Sequence, residues 1–306
     1  MVDRESAVQR ALSPFVESWS EYVLLVGSES ERHGGLPTAS SIAMSELSLE
    51  HRWSRPGWDE PVRNAHSYGS ALIGWLADHL SAIGAVAGHA PFGPAYAHLT
   101  LFRSMMEGSV VAAWLLEPGI GAEARVKRSL AYRLDSANNL GRMSLVDGAI
   151  KSATMAKDNT VELANSLGWA VRKGSRPAVD DQQIPEAKSE FSRLVLGRKN
   201  PPLDQVWWNY SSAGAHGTFY AVRQSLVAVP GVTSPMDPGG SVRALLTSST
   251  RIAFFGSLGF LGLMAGARAR QDLMGWTSDS AMAAVEARLR ALSMEALTAF
   301  ATEADR

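Results

Sequence analysis

Apolar residues recur at the spacing of an amphipathic helix along nearly every long segment of this chain. A period of about 3.6 residues places them on one face of a helix, which must then pack against other helices. The segments that show this period are 14–26, 60–88, 94–117, 121–146, 149–170, 184–197, 203–228, 240–270 and 278–304. Because no alternation typical of strands persists, the sequence predicts an all-α fold.

Two segments interrupt the helical pattern. Residues 27–58 are polar and rich in Gly, Ser and Pro, and residues 172–183 form a charged connector, so we expect both to be irregular. A long loop of the first kind is either a lid over a binding site or a tether between helices. We therefore predict one domain over residues 1–306, a helical bundle with a long N-terminal loop and a glycine-rich helix at its centre.

The composition excludes several kinds of site. The chain has 306 residues and no cysteine, which rules out disulfides, thiolate metal ligands and a cysteine nucleophile. Its seven histidines lack the spacing of helical metal motifs, and no glycine-rich phosphate or dinucleotide motif follows a strand, so we expect no metal and no cofactor. Lys and Arg total 29 against 30 Asp and Glu, and this balance argues against a nucleic-acid partner.

The sequence also bears on location. The first residues are charged and lack the apolar core of a signal peptide, which predicts a cytoplasmic protein. The longest uncharged apolar stretch, 252–267, has 16 residues, whereas a membrane-spanning helix needs about 20. We expect this stretch to form a buried helix that does not enter a membrane. Within it, Gly262 and Gly266 form a G-x-x-x-G pair that predicts close helix packing.

The strongest candidate site lies in the stretch WWNYSSAGAHGTFY. Its helical row, at intervals of four residues, comprises Trp208, Ser212, His216 and Tyr220, and Tyr210 adds another aromatic ring. A histidine in a half-buried pocket can act as general acid or base, and we expect His216 to face the interior with Ser212 and Trp208. The alternative is a core histidine that only satisfies its hydrogen bonds. Gly214 and Gly217 would let another helix or a ligand approach closely.

Two further polar stripes follow helical spacing. Arg103 and Glu107 form an i, i+4 pair on a face that also carries Trp114, and we expect Glu107 to contact His216. The alternative is an ordinary surface ion pair. The other stripe suits either an anionic ligand or a solvated helix face, and it consists of Arg128, Tyr132, Asp135, Asn139 and Arg142.

Two fragments resemble an uncharacterised all-helical family found in actinobacteria. They are Arg103-x-x-x-Glu107 with the helix end Trp114-Leu-Leu-Glu-Pro118, and Ser212-x-x-x-His216-Gly217. The chain is also distantly similar to helical HEPN bundles, several of which cleave or modify RNA. Nuclease members of that group carry an arginine a few residues before the histidine, whereas this chain has Asn209, Tyr210 and Ser211 there.

These observations predict a cofactor-independent enzyme that performs acid–base chemistry, an elimination or a cyclisation in specialised metabolism, on a small organic molecule. His216 would move the proton, Glu107 would orient it, and Arg103 would hold a charged group of the substrate. Ser212 would complete the catalytic set, and the binding wall would comprise Trp208, Tyr210, Tyr220, Trp114 and Arg142. The alternatives are a HEPN-like defence or stress protein that binds RNA or a protein, and a non-catalytic subunit of a complex. A homo- or hetero-oligomer is compatible with either.

Overall fold

The computed structural model describes residues 2–89, 96–143, 147–173, 176–180, 182–216, 226–234, 237–245 and 248–304. Its helices are α1 Val2–Arg32, α2 Ile42–Leu47, α3 Pro61–His89, α4 Ala97–Leu116, α5 Ala122–Met143, α6 Asp147–Ser166, α7 Ala187–Leu196, α8 Pro201–Ala215, α9 Ser249–Met274 and α10 Ser280–Ala304. A 3-10 turn spans Glu50–Arg52. The strands are β1 Ala170–Lys173, β2 Arg176–Val179, β3 Leu226–Ser234 and β4 Asp237–Leu245. The predicted all-α class is confirmed.

Helix α9 lies at the centre of the bundle. It packs against α1, α3, α4, α7 and α10, and most of its residues are buried. A Cβ added at Gly262 would lie 2.7 Å from Ser109 Oγ, and one at Gly266 would lie 2.6 Å from Ile73 Cδ1. The glycines therefore let α4 and α3 approach the α9 backbone, which confirms the predicted central helix and its close packing.

Three helices are long and apolar enough to cross a membrane, judged by length and composition alone. They are Pro61–Gly88, Ala97–Leu116 and Ser249–Met274. In the fold, 78% of the most apolar window of α9 is buried against other helices, but only 39% of that of α3. Burial accounts for the apolar character of α9. The expected absence of a membrane stays a prediction.

The predicted loop 27–58 is partly helical. Helix α1 continues to Arg32, and α2 follows, with Ser41 Oγ accepting a hydrogen bond from Met44 N at its first turn. Six residues are too few to show a helical period, so the sequence pattern missed α2. Between these helices, Leu36 O accepts a hydrogen bond from Trp276 Nε1 at 2.8 Å. This hydrogen bond anchors the segment near the end of α9.

Both β-hairpins were mispredicted. Strands β1 and β2 pair antiparallel within the segment assigned to a helix end and a connector. Strands β3 and β4 pair antiparallel where the helices 203–228 and 240–270 were predicted to end and begin. Pro230 lies inside β3, in the interval where the register shifts, and a proline there is incompatible with a helix interior. Helix α8 ends at Ala215 and α9 begins at Ser249.

Candidate functional site

Arg103 is the centre of a polar cluster shared by α4 and α8. Its Nε donates to Glu107 Oε1 at 3.2 Å, and its Nη1 donates to Ser212 Oγ at 2.7 Å. The same Nη1 lies 3.4 Å from His216 Nε2. The guanidinium carbon sits 4.3 Å from the centre of the Trp208 ring, a cation–π distance. We call these five residues the Arg103 cluster.

The packing of α8 explains why the two helices meet there. Leu99 Cδ1 of α4 lies 2.5 Å from the position of a Cβ at Gly214, so any larger residue there would require the Leu99 side chain to move. At its other end, α8 is capped by Asn200 and anchored to α7, because the Asp204 carboxylate accepts hydrogen bonds from Ser192 N and Ser192 Oγ. Asp204 is buried, and this burial raises the pKa of its carboxyl group. The predicted close approach at Gly214 is confirmed, while Gly217 lies outside the described residues.

The cluster holds Arg103 in one orientation with part of its binding capacity unused. Its side chain is 24% exposed, and that of Glu107 is 49% exposed. Nε and Nη1 make the hydrogen bonds given above, and Nη2 makes none within the described part of the chain. A planar guanidinium that lies on a tryptophan ring and can offer the N–H pair of Nη2 is suited to a carboxylate or phosphate group.

His216 departs from the sequence prediction. It was expected to face the interior, but its side chain is exposed, because α8 ends at Ala215 and His216 is the residue that caps the helix. Ser212 and Trp208 are half-buried. The expected contact between Glu107 and His216 is replaced by contacts of each with Arg103, so the guanidinium lies between the carboxylate and the imidazole.

Several predicted site residues lie elsewhere. Tyr210 points from the opposite face of α8 and stacks on Phe255, with ring centres 5.2 Å apart. Trp114 contacts Arg128 of α5, whose guanidinium carbon lies 5.1 Å from the centre of the Trp114 ring. Tyr220 and the side chain of Arg142 lie outside the described residues.

Residues of the third predicted stripe, which runs from Arg128 to Arg142, lie in two different environments. Arg128 pairs with Glu117 at 2.7 Å and is not available to a ligand in this arrangement. Asn139 Nδ2 donates to Asp135 Oδ2 at 3.0 Å, and both residues line a polar cleft of about 690 Å³. Further along the cleft lie the cationic side chains of Lys157, Lys173 and Arg176.

A buried ionic triad was missed by the sequence analysis. Arg125 donates to both carboxylate oxygens of Glu46, at 2.7 and 3.1 Å, and His66 Nε2 lies 2.8 Å from Glu46 Oε2. Burial alone would raise the pKa of Glu46, but hydrogen bonds from His66 and Arg125 and the charge of Arg125 outweigh it and lower that pKa. All three residues are buried, so the triad joins α2, α3 and α5 in the protein interior.

Comparisons with known proteins give no indication of function, so the Arg103 cluster is the main evidence for it. No protein-family model matches the chain, and no curated protein or solved structure matches it significantly. The resemblance to the actinobacterial family and to HEPN bundles stays a prediction. Within the described residues, no group of three or more His, Asp or Glu side chains is arranged to hold a metal ion.

Proposed function

We propose that this protein is an acid–base enzyme that acts on a small organic molecule carrying an anionic group. The observation that supports this most directly is the position of Arg103, fixed by Glu107, Ser212 and Trp208 beside the His216 imidazole. Arg103 would bind a carboxylate or phosphate of the substrate through Nη2, which bonds to none of the described residues. The substrate's reactive carbon or hydroxyl would then lie next to His216.

His216 is the group that moves the proton in this proposal. Arg103 Nη1 can only donate, so it occupies the Nε2 lone pair of the imidazole in this arrangement. When a substrate anion takes that N–H, Nε2 would be released to accept a proton. In an elimination, His216 would take the proton from carbon while the leaving group departs with the electron pair. Ser212 would orient Arg103, and Glu107 would balance its charge without touching His216.

A second candidate function is supported by the same pair of residues. HEPN-type nucleases need an arginine beside the catalytic histidine, and the local sequence before His216 offers none. Arg103 comes from a different helix but lies 3.4 Å from His216 Nε2. An RNA phosphodiester is therefore the alternative anionic substrate, although the net charge of −1 provides no general attraction for nucleic acid. Cytoplasmic location without membrane insertion remains part of both proposals, as does a possible homo- or hetero-oligomer.

Binding of simple anions tests the proposal before any substrate is known. Benzoate, inorganic phosphate and a single-stranded RNA oligonucleotide are titrated calorimetrically into the native protein and into Arg103→Gln. The matched control is Arg193→Gln, because Arg193 is a half-exposed arginine in a helical ion pair with Glu190. We expect benzoate or phosphate to bind with one site per chain, at least about 10-fold more weakly in Arg103→Gln and unchanged in Arg193→Gln.

The results of these titrations distinguish the small-molecule enzyme from the HEPN-like function. Preferential binding and cleavage of the RNA, lost in Arg103→Gln and in His216→Gln, would replace the small-molecule enzyme with the HEPN-like function. Binding of all three probes that is equal in the native protein and Arg103→Gln would overturn both candidates, because Arg103 would then not recognise anions.

A further inference from the structure

An apolar groove lies on the face of α8 opposite the Arg103 cluster. Its volume is about 340 Å³, within the range typical of small-molecule sites. Side chains of α8, α9 and α10 and of the end of α7 line it: Leu196, Leu203, Val206, Trp207, Tyr210, Phe254, Phe255, Ser257, Leu258, Leu261, Ser293, Met294, Leu297, Phe300 and Ala301. None of these lining residues carries a charge.

Four exposed apolar side chains lie at the rim of the groove. Val206 is 59% exposed, Met294 is 61% exposed, and Leu196 and Leu297 are each at least 40% exposed. Single exposed apolar residues are common on soluble proteins, but four around one concave surface indicate a binding site.

Ser257 is a second, independent observation at the same place. The residue is only 2% exposed, and its Oγ has no hydrogen-bond partner among the residues that the structure describes. A buried hydroxyl without a partner costs free energy, and serines within helices commonly avoid this cost by bonding to a backbone carbonyl one turn earlier. Ser257 does not make that bond, although Ser293 on the other side of the groove does, to Leu289 O at 2.7 Å.

We propose that this groove binds an uncharged lipophilic small molecule with one hydrogen-bonding oxygen, such as a medium-chain alcohol or ketone. The apolar lining excludes a charged ligand, because a charge placed there would be desolvated without a partner. A rotation of the buried Ser257 side chain about its Cα–Cβ bond would turn Oγ toward the groove to pair with the ligand oxygen. The apolar part of the ligand would cover the side chains of the rim. The inference does not depend on the chemistry proposed for the Arg103 cluster.

Fluorescence of N-phenyl-1-naphthylamine tests this proposal, since the neutral dye emits strongly only in apolar surroundings. The dye is titrated into the full chain and then displaced with 1-decanol or with decanoate. We expect one dye site per chain, and displacement by decanoate at least about 10-fold weaker than by 1-decanol. In Ser257→Ala, 1-decanol should compete about fivefold less well, the value of one neutral hydrogen bond.

Substitutions that place a charge on the rim test whether the dye binds in this groove. Met294→Glu on α10 and Val206→Glu on α8 should each weaken dye binding at least about 10-fold, and both positions are exposed enough to tolerate the change. Met155→Glu is the matched control, because Met155 is 62% exposed on α6, away from the groove. Equal dye binding by all three variants would overturn the proposal. So would an absence of dye binding combined with a native dimer that Met294→Glu converts to monomer, which would make the groove a protein interface.

Discussion

Arg103 Nη1 donates a hydrogen bond to Ser212 Oγ at 2.7 Å, and this contact joins two helices whose site residues lie 109 positions apart in the sequence. It turns two local patterns, one on α4 and one on α8, into one cluster. It also makes Arg103 the centre of that cluster, with Glu107 and His216 on different sides of the guanidinium.

Replacing His216 with Gln should separate catalysis from folding. Because His216 is exposed, the free energy of unfolding should change by less than about 0.5 kcal/mol. Turnover should fall about 10²–10⁴-fold, the usual contribution of a positioned acid or base. Thermal melts and turnover on a substrate identified by anion screening provide the measurement. A variant that melts early and turns over normally would make His216 a structural residue.

Replacing Glu107 with Gln should strengthen anion binding. The carboxylate offsets part of the charge of Arg103, and at its half-exposed position this effect is worth at most about 1 kcal/mol, or up to about fivefold in affinity. Calorimetry with inorganic phosphate measures the change. Glu117→Gln is the control, since Glu117 pairs with Arg128 instead. A loss of phosphate binding specific to Glu107→Gln would show that the carboxylate is required to hold Arg103 in place.

The Glu46 triad should make stability sensitive to acid. The folded-state pKa of Glu46 lies below its ordinary value of 4.5, so its ionised form stabilises the fold above that pH. This contribution should decline as the pH falls from 4.5 toward the folded-state pKa. Urea unfolding at a series of pH values should show a shallower decline in Glu46→Gln, alongside a loss of about 3–5 kcal/mol at neutral pH. Glu295→Gln, at an exposed position, should leave the pH dependence unchanged.

Alanine at Gly262 should destabilise the bundle. Its Cβ would lie 2.7 Å from Ser109 Oγ and 3.1 Å from Phe191 Cε2, so α4 and α7 would have to move at a cost of about 1–3 kcal/mol. Gly74→Ala is the control, because nothing lies within 4 Å of a Cβ there and alanine favours the helix by about 0.5–1 kcal/mol. Denaturant unfolding should therefore give opposite signs for the two variants. Equal effects would contradict the close packing of α9.

Local spacing predicted those parts of the site that lie within one helix. The pair Arg103 and Glu107 is four residues apart on α4, and Trp208 and Ser212 are four residues apart on α8, so helical geometry alone places each pair on one face. Their meeting depends on how α4 packs on α8. In the sequence, only Gly214 indicated this contact between α4 and α8. A glycine permits close approach, but it does not show which helix approaches.

The sequence predictions that were wrong also have specific physical causes. The exposure of His216 depends on where α8 ends, which the apolar spacing does not show. The same spacing continues into the β3–β4 hairpin, and Pro230 was the residue that argued against a helix there. Glu46, His66 and Arg125 each come from a different helix, so no spacing within one segment could associate them. Tyr210 was assigned to the wrong face because a position two residues from Trp208 points to the opposite side of the helix.

Nuclear magnetic resonance of the histidine rings shows directly whether Arg103 and His216 form one anion-binding site. The ring signals of His216 are followed while benzoate or inorganic phosphate is added to the native protein and to Arg103→Gln, with the exposed His51 as an internal reference. We expect the His216 signals to shift saturably in the native protein and the shift to be lost in Arg103→Gln, with no response of His51 in either protein. A His216 response no larger than that of His51, or one that persists without Arg103, would contradict an anion site shared by these two residues.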